Sequence, residues 1–228
     1  MKYAIPLFNI PTIDVAGQSS SFPVHRIYCV GRNYAAHARE MGSDPKREPP
    51  CFFTKPGDSV VANGSQVPYP SATENLHHEV ELVVAIGKDA LNISADKAKG
   101  IIFGYAVGND LTRRDLQAQA KKLAQPWDVA KGFDHSAPIT AIHPVEKVGH
   151  LEKGEIWLKV NDDMRQHGHI EDMVWSIPEV IEALSKLFRL IPGDLIFTGT
   201  PAGVGALSPG DKVEGCVEGL DILKHTVV

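Results

Sequence analysis

Two glutamates separated by one residue are the first feature of the chain that could do chemistry. Glu79 and Glu81 belong to a segment whose apolar end predicts a β-strand over Glu79–Ile86. Because residues i and i+2 of a strand point to the same face, the two carboxylates are expected to be neighbours, with the apolar residues on the opposite face. Adjacent carboxylates repel each other unless water or a cation separates them. Carboxylate oxygens are also the ligands that Mg²⁺ and Mn²⁺ prefer.

A third carboxylate follows the next apolar segment. Asp110 comes after the predicted strand Ile101–Val107, in the sequence Gly-Asn-Asp. The three acids together predict a divalent-metal site with Glu79, Glu81 and Asp110 as ligands. Spacing alone leaves alternatives open: solvated acids on an exposed edge strand, a place for Asp110 near a helix N-terminus, or a mixed site with two neighbouring histidines, His77 and His78.

An imidazole and a carboxylate share one face of a predicted short helix. His37 and Glu40 stand at i and i+3 in the segment Asn33–Met41, which Asn33 is expected to cap and Gly42 to end. A carboxylate orients an imidazole and raises its basicity, so this pair can take a proton from water. Glycines at positions 31 and 42 are typical of a segment that moves as a lid. An ordinary surface pair is the alternative.

Cationic residues provide further candidates. Lys131, between apolar residues and a glycine, either reaches into a pocket to hold a developing oxyanion or extends along the surface. Arg113 and Arg114 begin a predicted helix, where cations oppose the helix dipole unless they bind an anion such as a carboxylate substrate. The loop 199–205 lacks the lysine of a nucleotide-binding loop, so its N–H groups and Thr200 are expected to line a pocket and bind an oxygen.

The elements that must position these residues are mostly strands. Apolar segments bounded by Gly, Pro and Asn predict the following strands: Arg26–Gly31, Cys51–Lys55, Glu79–Ile86, Ile101–Val107, Glu155–Val160, Leu195–Thr198, Val213–Val217 and Leu220–Thr226. The predicted helices are Asn33–Met41, Ser94–Lys99, Thr112–Leu123 and Ser176–Phe188. Capping boxes are expected for the last two helices, from Thr112 with Asp115 and from Ser176 with Glu179. Strands without strict alternation with helices favour a β-rich α+β fold.

Length and composition exclude several classes of protein. With 228 residues the chain suits one large domain. Its 23 basic and 28 acidic residues give a net charge of -5, which is not typical of a nucleic-acid-binding protein. Three cysteines without a C-x-x-C spacing favour reduced thiols over disulfides or a thiolate zinc site. Neither a secretion signal nor a membrane span is evident, so a cytoplasmic protein is expected.

Several ordered blocks of sequence resemble the fumarylacetoacetate hydrolase family, in its short acylpyruvate and fumarylpyruvate hydrolase branch. The blocks are Gly31-Arg32-Asn33-Tyr34 with His37 and Glu40, then Glu79-Val80-Glu81, Gly108 to Asp115, Lys131-Gly132-Phe133-Asp134, and Thr198 to Gly205. The resemblance implies a mixed β-sandwich roll that forms a homodimer. It also implies one catalytic domain over residues 25–228, preceded by an N-terminal extension over residues 1–24.

The same resemblance implies roles for individual residues. Glu79, Glu81 and Asp110 are expected to bind Mg²⁺ or Mn²⁺, and His37 with Glu40 to activate water. Four further residues are assigned to the substrate pocket: Arg114, Gln117, Lys131 and Thr200. The expected partner is a small anionic keto acid rather than nucleic acid or a membrane.

The predicted activity is hydrolysis of a C–C bond in an acylpyruvate. Fumarylpyruvate, giving fumarate and pyruvate during aromatic catabolism, is the preferred substrate. Two alternatives use the same metal site without water: decarboxylation of oxaloacetate, and isomerisation or decarboxylation of a dienoate diacid. A different class, a non-catalytic protein that binds a metal or an acid, also stays open.

Overall fold

A computed structural model describes residues 3–42 and 48–228. The strands within these residues are β1 Thr12–Asp14, β2 Ser21–Pro23, β3 Ile27–Gly31, β4 Cys51–Lys55, β5 Val60–Ala62, β6 Gln66–Val67, β7 Leu76–His78, β8 Val80–Ile86, β9 Ile102–Asn109, β10 Thr112–Arg113, β11 Ala137–Ile139, β12 His143–Pro144, β13 Glu155–Val160, β14 Asp163–His169, β15 Leu195–Phe197, β16 Gly205–Leu207, β17 Lys212–Val217 and β18 Leu223–Val227. The α-helices are α1 Ala35–Glu40, α2 Ala95–Ala98, α3 Arg114–Lys122, α4 Asp128–Lys131, α5 Val145–Val148 and α6 Ile177–Leu187.

Two large sheets form the body of the fold. The larger runs in the order β4-β3-β15-β8-β9-β11-β5, with β12 added beside β9, and the smaller runs in the order β14-β13-β17-β18-β6. Most neighbouring strands are antiparallel, but three pairs are parallel: β15 with β3, β11 with β5, and β18 with β6. The architecture is therefore a β-rich α+β fold with mixed sheets, as the sequence predicts.

Strand β8 is buried on both faces because a core lies on each side of it. Val80, Leu82 and Val84 pack into the larger core, which also contains apolar residues of the smaller sheet. Val83 and Ala85 pack into a second core beneath the hairpin β1–β2. Glu81 shares this second face, at the end of the strand where the apolar packing stops. The predicted alternation along β8 is confirmed.

Of the three predicted N-terminal helix caps, one forms and two do not. Helix α6 begins with the expected capping box between Ser176 and Glu179. Helix α1 begins after Tyr34 without a side-chain cap, because the Asn33 amide is used by the distant residues Trp175 and Thr198. The Thr112–Asp115 capping box does not form either.

Residues Thr112 and Arg113 are a short strand, and helix α3 begins only at Arg114. Asp115 instead accepts hydrogen bonds from Thr73 Oγ1 and Glu74 N. Both wrong caps have the same physical reason: a partner from another segment took the side chain that local spacing assigned to the helix.

Other predicted elements are confirmed with small shifts of their ends. The predicted strand Glu79–Ile86 begins one residue later, since Glu79 lies in the break between β7 and β8. The hairpin β17–β18 forms as predicted, and β14 adds an edge strand beside β13 that the sequence did not predict. Within the described residues, no helix has the length and apolar composition needed to cross a bilayer.

Candidate active site

Three carboxylates converge at the point where strand β8 begins and strand β9 ends. One oxygen from each of Glu79, Glu81 and Asp110 lies within 4.8 Å of the other two. The residues are 4%, 2% and 0% exposed, respectively. They are therefore not solvated acids on an edge strand, and Asp110 does not cap a helix. This acidic triad (Glu79, Glu81 and Asp110) is the predicted metal site, brought together by the fold.

The register of β8 against β9 explains the convergence. Glu81 pairs with Gly108 in the antiparallel ladder, so Asp110 comes level with Glu79, whose carbonyl accepts the Asp110 N–H at 2.8 Å. A Cβ at Gly108 would lie 2.5 Å from the Phe197 ring, a distance that real contacts do not show. Glycine at this position therefore leaves room for the Phe197 ring to pack beside β9 in the second core.

Buried cations surround two of the three carboxylates. Lys131 Nζ lies 2.6 Å from Glu79 Oε2 and 2.6 Å from Asp110 Oδ2. Arg114 pairs with the other oxygen of Glu79, and Lys55 Nζ lies 2.8 Å from Asp110 Oδ1. Lys131 is 2% exposed, which excludes the alternative of a lysine extended along the surface.

Glu81 lacks such a cation. Within the described residues no lysine or arginine pairs with its carboxylate, which accepts the Gly199 N–H at 2.7 Å. Burial, together with the charges of Asp110 and Glu79, raises the pKa of Glu81 well above its usual range. Burial also opposes ionisation of Glu79, but Lys131 and Arg114 hold the pKa of that carboxyl well below its usual range. The side of the triad next to Glu81 is thus short of positive charge.

The donor set fits a hard divalent cation. All three candidate ligands offer carboxylate oxygens, as Mg²⁺ and Mn²⁺ prefer. Asp110 Oδ1 contacts Lys55 only as an ion pair and accepts no hydrogen bond within the described residues, so a lone pair remains for a metal. A mixed site with histidine is not favoured, because His78 Nδ1 contacts Gln166 and His77 Nε2 contacts Asn75.

The imidazole and carboxylate of α1 are in contact beside the triad. His37 Nδ1 lies 3.1 Å from Glu40 Oε2, and His37 is buried. The backbone N–H of Gly203 also donates to the Glu40 carboxylate, at 3.1 Å. The loop 199–205 therefore uses two of its N–H groups, at Gly199 and Gly203, to hold carboxylates of the site.

One cleft joins the predicted site residues. It opens to solvent and has about 400 Å³ of empty space. All of the predicted site residues line it except Glu40, which contacts the lining residue His37. Its walls also contain residues that sequence reasoning did not assign: Val30, Gly31, Arg32, Met41, Phe53, Lys121 and Trp127. Two of these, Arg32 and Lys121, are cations.

Two buried polar residues near the site were missed altogether. Lys55 ends a strand that is otherwise mostly apolar, and a lysine at that place was a signal that could have revealed it. Gln166 is completely buried and donates to Thr200 Oγ1 at 2.7 Å. It lies in a polar stretch of β14, where nothing in the local sequence separates it from exposed residues.

Solved structures of similar sequence have the same fold. A crystal structure of fumarylpyruvate hydrolase from Pseudomonas aeruginosa, in complex with Mn²⁺ and pyruvate, is 47% identical and has a TM-score of 0.97, with 100% of this chain and 99% of that chain covered. A putative fumarylpyruvate hydrolase from Burkholderia cenocepacia is 53% identical, with a TM-score of 0.93 and coverage of 100% and 98%. The expected fold type is confirmed.

Sequence comparison leads to the same family. The protein of Homo sapiens named mitochondrial oxaloacetate tautomerase FAHD1 is 44% identical over 194 residues, which is 85% of this chain and 87% of that protein. Residues 26–228 match the family model described as fumarylacetoacetate (FAA) hydrolase C-terminal. The chain with the acidic triad is thus a member of the fumarylacetoacetate hydrolase family.

Proposed function

We propose that this enzyme hydrolyses the C–C bond of an acylpyruvate, with fumarylpyruvate as the substrate and Mg²⁺ or Mn²⁺ as the cofactor. The observation that carries the proposal is the buried acidic triad next to the contact between His37 and Glu40. A metal site beside a candidate general base is the combination that addition of water to a keto acid requires. The P. aeruginosa relative, a fumarylpyruvate hydrolase, holds Mn²⁺ and pyruvate.

The chain's own residues have separate tasks in this scheme. A divalent cation on the triad supplies Lewis-acid stabilisation of negative charge on the pyruvate end of the substrate. His37, oriented by Glu40, takes a proton from water, and the oxygen of that water attacks the acyl carbonyl carbon. Arg114 and Gln117, which contact each other at 2.6 Å, bind the pyruvate carboxylate.

Bond cleavage then follows from the addition of water. The electrons of the broken C–C bond pass to the methylene carbon of the pyruvate part, which takes up a proton to become the methyl group of pyruvate. The acyl part leaves as fumarate, so one water is consumed and no oxidant is needed. Lys131 and Thr200 donate hydrogen bonds to oxygens that carry negative charge during the reaction.

The outer part of the cleft supports a substrate with a second carboxylate. Arg32 and Lys121 line the cleft beyond the triad. The Arg32 guanidinium lies 4.0 Å from Glu48, and within the described residues Lys121 makes no ion pair. Burial, with the charges of Arg114 and Arg32, lowers the pKa of Lys121. An anion at the far end of the substrate would relieve this repulsion, and fumarylpyruvate carries one there.

A second candidate function is tautomerisation or decarboxylation of oxaloacetate. The human relative that is 44% identical is named an oxaloacetate tautomerase. Neither reaction needs an attacking water. Decarboxylation needs only charge stabilisation at the keto acid, whereas tautomerisation also moves a proton and would use a base such as His37. The arrangement of His37 against Glu40 favours hydrolysis over decarboxylation, which needs no base. The products of the reaction separate hydrolysis from tautomerisation.

Parallel assays of the two substrates test the proposal. Purified enzyme with Mg²⁺ or Mn²⁺ is incubated with fumarylpyruvate and, separately, with oxaloacetate, and the products are identified by chromatography. Formation of fumarate and pyruvate in equal amounts supports the hydrolase. Conversion of oxaloacetate to pyruvate, or faster keto–enol exchange of oxaloacetate, without hydrolysis of fumarylpyruvate would move the function to the second candidate.

A further inference from the structure

The amide of Gln166 has only one allowed orientation, because backbone groups contact both of its ends. Its Oε1 lies 3.1 Å from the Val80 N–H, which can only donate, and its Nε2 lies 2.9 Å from the carbonyl of Pro201, which can only accept. Turning the amide over would set donor against donor and acceptor against acceptor. Gln166 is fully buried, so water cannot relieve such a mismatch.

This orientation determines the direction of the neighbouring hydrogen bonds. His78 Nδ1, 2.8 Å from Gln166 Oε1, must donate, because that oxygen only accepts. Gln166 Nε2 donates to Thr200 Oγ1 at 2.7 Å. The Thr200 hydroxyl is therefore an acceptor on the side that faces Gln166.

The proton of the Thr200 hydroxyl then has to point elsewhere. Within residues 3–42 and 48–228 it has no acceptor, although Thr200 is only 2% exposed. Thr200 lines the cleft together with the acidic triad. An oxygen of a bound ligand is the partner that would accept this proton.

We propose that Gln166 is a positioning residue that fixes the Thr200 hydroxyl as a hydrogen-bond donor toward a ligand oxygen in the cleft. The inference rests on the proposed function for the identity of the ligand, an α-keto acid. Gln166 acts through Thr200 and does not itself reach the cleft. His78 and the Val80 N–H contribute to this role, because their hydrogen bonds to Oε1 keep the Gln166 amide in its orientation.

The substitution Gln166→Glu tests the direction of the bond. A carboxylate still accepts from His78 and the Val80 N–H, but it cannot donate to Thr200. The hydroxyl would then donate to the new carboxylate, and its proton would be lost to the ligand. We expect binding of pyruvate with Mn²⁺, measured by calorimetry, to weaken about tenfold, as in Thr200→Val. Thr200→Ser, which keeps a hydroxyl, should bind nearly as well as the unchanged enzyme.

A double-substitution cycle separates this role from a general effect of charge. Since Gln166 is expected to act through Thr200, Gln166→Glu should cost little further binding once Thr200→Val is present. Gln119→Glu adds the same charge on the exposed face of α3 and should bind pyruvate normally. An equal loss from Gln166→Glu in both backgrounds, or unchanged binding in Thr200→Val, would overturn the inference.

A replacement variant guards against loss of folding, and the choice of readout makes the test independent of the proposed function. If Gln166→Glu lowers the melting temperature so far that binding cannot be measured, Gln166→Met, which removes the donor without adding charge, takes its place in the same cycle. Because the readout is pyruvate binding, the cycle gives an answer even if fumarylpyruvate is not turned over. If the cycle shows that Gln166 acts through Thr200 but fumarylpyruvate is not hydrolysed, the proposed function is wrong and the role of Gln166 stands.

Discussion

Lys55 Nζ lies 2.8 Å from Asp110 Oδ1, and both side chains are almost completely buried. The lysine comes from the edge strand β4 and the aspartate from the residue after β9, so the contact links two distant parts of the larger sheet. Because a buried ion pair becomes costly when one partner is removed, this contact is a stability element of the site as well as an electrostatic one.

Replacement of Lys55 should therefore destabilise the fold. Lys55→Met leaves Asp110 with Lys131 as its remaining cation, and the free energy of unfolding should fall by about 3 kcal/mol. Urea denaturation measures the change, with the exposed substitution Lys97→Met as the control. Added Mn²⁺ should restore part of the loss, because a cation on the triad replaces the missing charge. Equal stability of the variant and the parent would show that the contact contributes nothing.

Glu81 should be needed for the metal. It is the carboxylate of the triad without a cation partner within the described residues, so Glu81→Gln should abolish tight Mn²⁺ binding and activity together. Titration calorimetry measures the affinity, and Glu74→Gln, an exposed acid before β7, provides the control. Full activity of the Glu81 variant without added metal would contradict the metal assignment.

His37 should be needed for hydrolysis but not for the metal. In His37→Asn the water loses its base, so turnover of fumarylpyruvate should fall by about 10²–10⁴-fold while Mn²⁺ affinity stays the same. Glu40→Gln should give a smaller loss in the same direction, since it only orients the imidazole. His167→Asn, at an exposed position of β14, is the matched control. Normal turnover in His37→Asn would show that His37 is not the general base.

Replacement of Lys121 should weaken the binding of substrates that carry a second carboxylate at the acyl end. Lys121→Met should raise the KM for fumarylpyruvate about two- to fivefold, because a partly solvated ion contact is lost. The KM for acetylpyruvate, which ends in a methyl group, should not change. Lys122→Met removes the neighbouring exposed lysine of α3, which does not line the cleft, and should affect neither substrate. A parallel rise for both substrates would argue against a subsite for the second carboxylate.

The sequence predicted the acidic triad because its signals are local. Alternation along a strand places Glu79 beside Glu81, and the apolar run before Asp110 predicts the neighbouring strand. Lys55 ends the mostly apolar strand β4, which was a local signal that could have revealed it. The burial of Gln166 could not be predicted, because its neighbours in β14 are polar and its partner Thr200 belongs to another segment. The pairing of strands that brings them together is a property of the whole fold.

The same reason explains the two wrong helix caps. Asn33 and Asp115 have the side chains and the spacing of capping residues, and in an isolated helix they would act as such. Partners from other segments, Trp175 for Asn33 and Thr73 for Asp115, offered them competing hydrogen bonds. The box between Ser176 and Glu179 formed as predicted.

The absorbance of fumarylpyruvate in the presence of the enzyme is the most direct test of metal-dependent hydrolysis. The decay of the enol absorbance is followed with Mg²⁺ or Mn²⁺ and again with excess EDTA, and the products are identified at the end. A metal-dependent hydrolase should cause rapid decay to fumarate and pyruvate that EDTA abolishes and added metal restores. Stable absorbance in the presence of metal, or decay that EDTA leaves unchanged, would contradict metal-dependent hydrolysis.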